Sequence, residues 1–458
     1  MVMGSLPEDV DLAVIGAGVG GYIAAIRAAQ LGLSVSLVEK NKLGGHCLNY
    51  ACIPSKTLIH IADTFYSIKH SENFGIKADN ATLDAQKMYD WRMGVSKKLE
   101  DGVGFLCKSN GVEVVKAEAT FLSSNTLQLT NGTSLVFKKA IIATGSTPTT
   151  VTGFEFGGNV IDYKDALMLN KIPGSMAIIG AGYVSVEIGT LYAKMGTKVS
   201  IIARSDVLSK FDRDAVSLVK KRMEDLGIKI YTGAKPVSHS GNSVTLDNGQ
   251  TVDAEIIVVA IGLVPFTQGL GLGNTEVSTD DKGFVRVDGT LQTTDPNILA
   301  VGDVIGEPML AHKAMRQGVV AAEVAAGKKS GYDNIVVPAV IFSDPEIAIA
   351  GKIEGEGISV KKFPLSALGR AIALNKTAGF VKIAYDSNNI VKGVEIVSDD
   401  ANAMIAEAVV AIEMGATLED IADSIHPHPT FSEAVQEAAE AALGRSIHFF
   451  YGKSGKQA

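Results

Sequence analysis

The chain is poor in cysteine, in tryptophan and in long uninterrupted apolar runs. Among its 458 residues only three are cysteine and one is tryptophan. An odd, small number of cysteines in a chain of this length excludes a secreted disulfide framework. It points to a reducing compartment in which any disulfide would be catalytic. Blocks of lysine and arginine are also missing, and the formal net charge is −8. Nucleic acid and anionic membrane surfaces are therefore poor partners. The longest apolar stretches are strand-length and broken by glycine, too short for a transmembrane helix. Residues 1–10 are acidic and lack the basic and apolar regions of a signal peptide. These absences predict a soluble cytoplasmic protein without a nucleic-acid or membrane partner.

Glycine is plentiful, at 48 residues, and hydrophobic residues make up 46%. That is enough apolar sequence for about three domains. The run Val10–Ile15 predicts a strand, and Gly16-Ala17-Gly18-Val19-Gly20-Gly21 follows it, then a helix over Tyr22–Leu31. Ser34–Val38 predicts a second strand, ended by Glu39. Strand, Gly-x-Gly-x-x-Gly, helix, strand and acid form a complete dinucleotide fingerprint. Its glycines make the tight turn, admit a pyrophosphate and let helix and strand pack closely. The pattern recurs at Ser175–Ile179, Gly180-Ala181-Gly182-Tyr183-Val184-Ser185 and Lys198–Ala203, with Ser185 in place of the third glycine. Two dinucleotide sites are thus expected. Short apolar strands at Ala140–Gly145, Ile256–Ile261 and Ile298–Asp303 read as returns to these units. Asp303 would emerge at a strand's carboxyl end, where open α/β sheets bind ligands; a turn or N-cap role is its plainer reading.

Just after the first fingerprint, Cys47 and Cys52 stand five positions apart in Gly44-Gly45-His46-Cys47-Leu48-Asn49-Tyr50-Ala51-Cys52-Ile53-Pro54-Ser55-Lys56. The spacing is too open for a zinc knuckle, no second Cys/His pair has ligand spacing, and no metal site is expected. One turn of helix can bring the sulfurs together as a disulfide. Two unrelated buried thiols remain the plainer alternative. From Val337 the composition changes to a separate α+β pattern, with strands near Val337–Phe342, Gly379–Ala384 and Ile390–Val397 and a helix over Ala401–Met414. It ends in His426-Pro427-His428-Pro429-Thr430-Phe431-Ser432-Glu433 and a helix over Glu433–Leu443. Ser432 or Thr430 is the expected cap of that helix. Cys107 and Trp91 read as packing residues on a helix.

Over essentially its whole length the chain resembles the dihydrolipoyl dehydrogenase family of pyridine-nucleotide–disulfide oxidoreductases. The likeness rests on the thiol run, on Gly21–Gly32, on Met309-Leu310-Ala311-His312-Lys313-Ala314, on His428–Glu433 and on Gly444-Arg445-Ser446-Ile447-His448. It implies an α/β fold of two Rossmann-like dinucleotide-binding domains, for FAD and NAD(P), plus a C-terminal α+β dimerisation domain. The implied boundaries are residues 1–144 (FAD domain with the redox disulfide), 145–262 (NAD(P) domain), 263–336 (completing the FAD domain) and 337–458 (dimerisation).

The resemblance also assigns roles. FAD would be held by Gly16, Gly18, Gly21 and Glu39, with Lys40, Gly45, Ala119, Thr144, Gly145, Met309, Leu310, Ala311 and His312 around it. Lys56 would lie near the flavin's reactive nitrogen, and Asp303 on the ribityl chain. Cys47 would be the interchange thiol and Cys52 the flavin-facing thiolate. His428 would be the acid–base catalyst, oriented by Glu433 and supplied by the other subunit of a homodimer. The substrate would be a dihydrolipoyl group on an acyltransferase or carrier protein; no lipoyl-type domain precedes these residues, so it is expected from elsewhere. Gly180, Gly182, Tyr183, Val184, Glu187 and Gly262 would line the nicotinamide site. There the strand ends in Ala203-Arg204, where NAD-using members carry Glu, and Lys210 follows. NADP is therefore the expected cofactor, with NAD the alternative. Three segments depart from the family: His46 stands for Thr, Tyr50-Ala51 for Val-Gly, and Leu263-Val264-Pro265-Phe266 for Arg-x-Pro-Asn. The competing functions are a glutathione-type or other low-molecular-weight disulfide reductase using NADPH, and a non-catalytic, flavin-bound docking subunit. Mercuric ion reduction is disfavoured because no cysteine pair ends the chain.

Overall fold

The apolar run at the start of the chain becomes the centre of a parallel sheet. In the computed structural model, which describes residues 8–452, β1 (Glu8–Ile15) lies between β2 (Val35–Glu39) and β6 (Ser134–Ile142), parallel to both. Most of the stretch read as lacking a leader lies outside the described residues. Beyond β2 lies β3 (Glu113–Lys116), and beyond β6 lie β5 (Thr126–Leu129) and β4 (Ala119–Ser123). The strand Ile298–Ala300 also pairs with β6, completing seven strands. Leu12, Val14, Leu37 and Ile141 face one core, while Ala13, Ile15, Val38 and Ile142 face the other. Burial on both faces explains why these strands read as continuous apolar runs.

α1 (Val19–Gln30) covers the first face and packs on the helix Ala311–Ala325. The approach is close, since a Cβ on Gly318 would stand 2.4 Å from the Gly20 carbonyl oxygen. α1 begins three residues earlier than its sequence pattern suggests, because Gly18 ends the turn and Val19 already has helical geometry. The second-fingerprint strand Ser175–Ile179 pairs with Ile256–Val259, which pairs with Val160–Asp162. These residues belong to one of two compact units, Met1–Gly180 with Lys194–Thr197 and Pro236–Asp333.

The other unit holds Ala181–Ala193, Lys198–Lys235 and Asn334–Ala458. In it, Lys198–Ala203 runs parallel to Lys229–Thr232. Its carboxyl-terminal part is a five-stranded antiparallel sheet, in the order Ala339–Ile341, Glu346–Gly351, Val391–Ser398, Phe380–Tyr385, Ser359–Pro364. The helices Ala401–Met414 and Glu433–Ala442 pack on it. Phe363, Ile383, Ile396, Ile405 and Val435 fill the space between them.

Candidate active site

In the first unit the glycine turn and the thiol segment are fastened together. The Gly44 N–H donates to Ala17 O at 2.8 Å, and Gly44 forms a bridge with Gly18. A Cβ on Gly45 would lie 2.6 Å from the Gly18 Cα, so only glycine allows this approach. Gly45 starts α2 (Gly45–Asn49), which carries Cys47. Asn49 holds the turn by donating to Leu43 O and Gly45 O, at 2.8 and 3.0 Å. α3 (Cys52–Lys69) begins on Cys52 itself. The two thiols thus sit on consecutive helices broken at Tyr50-Ala51, which corrects the expectation that a single helical turn joins them.

The surroundings of the two sulfurs differ. Cys52 lies in the first turn of an 18-residue helix, whose positive end favours a thiolate. Cys47 has its thiol pushed well above the usual range, first by its hydrogen bond with Cys52, then by burial and by the Cys52 charge. Lys56, one turn along α3, acts in the opposite direction. The hydrogen bond to Cys52 and burial both favour a proton on Cys47.

Glu39, at the end of β2, accepts from the Ala17 N–H at 2.7 Å and the Asn41 N–H at 2.6 Å. Lys40 pairs with Glu118 at 2.8 Å and lies 4.0 Å above the Phe266 ring. Phe266, at a position that departs from the family, bonds through its backbone to Gly145 O and to the Thr144 hydroxyl. Ala119 is buried on β4. Asp303 lies in a short 3₁₀ turn after the strand Ile298–Ala300. Burial raises its carboxyl, while a 2.7 Å bond from Ser146 and the charge of Lys313 oppose that rise. Lys313 is itself buried and donates to Gly306 O at 2.7 Å. Neither Ser146 nor Lys313 was singled out from sequence, although each adjoins or lies within a segment that was. Met309 and Leu310 lead into the helix that Ala311 and His312 begin, with Leu310 as its N-cap.

The second fingerprint is looser. Gly180 has φ of +120°, and Gly182 has no atom within 4 Å of where a Cβ would stand. Tyr183 opens the helix Tyr183–Lys194, which Val184 continues, and Tyr183 is exposed. Glu187 is buried and accepts from the Phe342 N–H at 3.1 Å. Gly262 has φ of +145°. Arg204 and Lys210 are exposed.

The carboxyl-terminal histidines have different fates. His428 Nδ1 lies 2.8 Å from Glu433 Oε1, and its side chain is 78% exposed. Glu433 Oε2 accepts from the Thr430 N–H at 2.8 Å. Burial raises the Glu433 carboxyl, but these two bonds prevail and it lies below its ordinary value. His426 is sealed in: its Nε2 lies 2.8 Å from Glu407, its Nδ1 lies 3.0 Å from Ser424 O, and its side chain is 7% exposed. Neither Ser432 nor Thr430 caps the helix through its side chain, because Thr430 Oγ1 bonds Pro427 O and lies 2.8 Å from the Ser432 hydroxyl. Trp91 is not a packing residue in the described chain. Its helix α4 (Ala85–Ser109) buries Met88, Arg92, Ser96, Val103 and Cys107, which leaves Trp91 on an outer face at 66% exposure.

Residues 10–318 match the family described as pyridine nucleotide-disulphide oxidoreductase, and residues 337–439 match its dimerisation domain. The chain belongs to the pyridine nucleotide-disulphide oxidoreductase family. It is 45% identical over 466 residues to the dihydrolipoyl dehydrogenase of Geobacillus stearothermophilus, covering 98% of this chain and 99% of that one. It is 44% identical to the dihydrolipoyl dehydrogenase of Bacillus subtilis (strain 168), covering 98% and 99%. The fold is similar to LpdA from Mycobacterium tuberculosis, with a TM-score of 0.88, 24% identity, and 94% and 100% of the chains covered. The HOCl-induced flavoprotein disulfide reductase RclA from Escherichia coli gives a TM-score of 0.84 at 25% identity, covering 94% and 99%.

The chain is an oxidoreductase whose cofactors are FAD and NAD(P). Its first glycine turn fits a dinucleotide pyrophosphate. Among the described residues, no atom beyond the adjoining chain lies within 4 Å of a Cβ built on Gly18, and no side chain caps α1, which leaves its N-terminal N–H groups for an anion. Among the described residues no helix is long and apolar enough to cross a membrane.

Proposed function

We propose that this chain is a dihydrolipoyl dehydrogenase of the cytoplasm, acting as a homodimer on dihydrolipoyl groups carried by an acyltransferase or carrier protein. Full-length identity of 45% to a curated dihydrolipoyl dehydrogenase is the observation that carries the substrate. FAD held at Gly16, Gly18 and Glu39 would supply the two-electron relay between the enzyme dithiol and a nicotinamide dinucleotide. The remaining work falls to the chain's own residues. His428, held by Glu433, takes a proton from the incoming dithiol, so that its thiolate attacks Cys47 in the oxidised enzyme. The Cys47–Cys52 bond breaks, and Cys52 departs as a thiolate stabilised by the start of α3. The second substrate sulfur then displaces Cys47, which leaves as a thiol with the proton held by His428, and His428 takes up the proton of that second substrate thiol. Lipoamide, a Cys47 thiol, a Cys52 thiolate and a protonated His428 result. The exposed edge of His428 and the enclosure of His426 support this choice of base.

The test is a steady-state assay of dihydrolipoamide oxidation beside an assay with oxidised glutathione. Turnover of dihydrolipoamide, reduced by about 10² to 10⁴ in His428→Ala with nicotinamide-to-dye activity retained, is the expected result. Turnover of glutathione alone would favour the glutathione-type reductase, and turnover of neither the docking subunit. An intact dithiol and an oriented histidine weigh against that last reading.

A further inference from the structure

We propose that the second dinucleotide site is built for the 2′-phosphorylated nicotinamide cofactor, NADP, with Arg204 as its principal phosphate ligand and Ser205 and Lys210 beside it. The inference rests on the chain's being a nicotinamide-dependent oxidoreductase and specifies which nicotinamide it uses. In dinucleotide folds the residue at the end of the strand after the glycine turn reads the adenosine ribose. A carboxylate there accepts from the hydroxyls, and an arginine there accommodates a 2′-phosphate. Here that strand is Lys198–Ala203. Ala203 is buried and offers no acceptor. Arg204 and Ser205 follow it on the surface.

The free charges at this strand end are all positive. Among the described residues, Arg204 and Lys210 make no side-chain hydrogen bond or ion pair. The two nearby carboxylates are both engaged. Asp206 pairs with Lys220 at 3.0 Å and accepts from the Val207 N–H, which draws its carboxyl below the ordinary range. Asp212 caps the helix Arg213–Asp225 and pairs with Lys382 at 2.8 Å. Among the described residues, neither pairs with Arg204.

The segment carrying these cations is also fixed in place. Val207 and Leu208 are buried, and the Leu208 N–H donates to Ala181 O at 2.9 Å. Ala181 lies between the two glycines of the second fingerprint, so one hydrogen bond ties the cationic segment to the pyrophosphate turn. The Phe211 N–H donates back to Leu208 O at 2.8 Å and closes the segment before the helix. A planar guanidinium held at such a position can grip a phosphate with two parallel hydrogen bonds.

The holoenzyme is titrated calorimetrically with 2′,5′-ADP and with 5′-AMP, and dye reduction is followed with NADPH and with NADH. The 2′-phosphorylated ligand is expected to bind at least about tenfold more tightly, a difference one charge-assisted pair provides. Arg204→Ala should cut both that binding advantage and the NADPH-to-NADH efficiency ratio by about ten- to a hundredfold, and Lys210→Ala by less. Equal binding of the two adenylates, or a ratio unmoved by Arg204→Ala, overturns the inference and leaves the oxidoreductase reading standing. If neither nucleotide reduces the dye through the flavin, it is the underlying reading that fails.

Discussion

The two glycine turns share a sequence pattern and differ in what their glycines are for. In the first, a Cβ on Gly21 would lie 1.8 Å from the Gly16 carbonyl oxygen. Gly16 itself has φ of +96°, and its Cβ would lie 2.6 Å from Ala143 O. Glycine is the only residue that both positions accept. In the second, Gly180 has φ of +120°, Gly182 has open space where a side chain would go, and Ser185 occupies the third position. The strand ends differ in the same sense: Glu39 is locked by two backbone donors, whereas Ala203 is followed by Arg204, which is exposed. The shared motif therefore carries tight packing at Gly16 and Gly21 in one turn and room for a side chain at Gly182 in the other, and in the proposed NADP reading the strand-end residue has the choice of ligand.

The strongest way to break this comparison is to put a methyl group in each turn. Gly21→Ala is expected to cost about 3–5 kcal/mol, because backbone must shift to clear the carbonyl, and to yield protein without flavin. Gly18→Ala has room, so it should fold normally and hold FAD more weakly by about ten- to a hundredfold, since its methyl enters the pyrophosphate space. Gly182→Ala should keep its flavin and raise the KM for the nicotinamide dinucleotide. Flavin-to-protein absorbance and thermal midpoints distinguish the three. Equal melting of Gly21→Ala and Gly18→Ala would refute the packing argument.

Glu39 is the next test. Its carboxylate joins the glycine turn, through Ala17, to the loop that leads into the thiol segment, through Asn41. Hydrogen bonds to a charged group contribute roughly 1.5–3 kcal/mol each, so Glu39→Ala should lower stability by a few kcal/mol and release flavin on dilution. Ala203→Gly in the second site, where no such acceptor exists, should leave flavin content unchanged.

Much of this arrangement was legible in the sequence, and the parts that were not share a cause. Apolar runs and glycines mark β1, β2 and the two turns because burial on both faces forces continuous hydrophobic sequence. The helix Ala401–Met414 has the expected bounds because few side chains there compete with the helical pattern. What escaped depends on distant partners. Ser146 reaches Asp303 across 157 residues, and Glu407 captures His426 from 19 residues upstream. The break between α2 and α3 follows from Gly45 docking on Gly18, which no local propensity records. Trp91 looked like core because aromatic residues on helices usually are, yet the buried stripe of α4 passes through Arg92.

The units also bury carboxylates differently. Asp303 has the Ser146 hydroxyl, whereas Glu395, fully buried in the sheet of the second unit, has neither oxygen hydrogen-bonded. Its nearest described cation, Lys382, stands 3.9 Å away and is shared with Asp212 and Asp214. Burial, aided by those two acids and opposed by Lys382 and Lys362, pushes Glu395 up to about 7. A raised carboxyl means that the folded state binds the proton more tightly. The associated stability is complete below the unfolded value near 4.5 and is lost as pH rises through about 7. Glu395→Gln should flatten this pH dependence and gain on the order of 1–3 kcal/mol at pH 8 relative to the parent. Parallel denaturation curves for parent and variant from pH 4.5 to 8 would show that the buried acid is not the cause.

The smallest effect belongs to Ser185, where the second turn has lost its glycine. The residue is fully buried, and among the described residues its hydroxyl has no hydrogen-bond partner. An unpaired buried hydroxyl carries a desolvation cost without a compensating bond, so Ser185→Ala should stabilise the protein by up to about 1 kcal/mol. Ser185→Gly removes the same hydroxyl but adds the backbone entropy of glycine within a helix, about 1 kcal/mol, and should come out nearly neutral or slightly destabilised. Neither change should alter the affinity for 2′,5′-ADP. Were Ser185→Gly to tighten that binding by more than about threefold, the side chain would be holding the helix away from the strand. The two turns would then differ in degree rather than in kind.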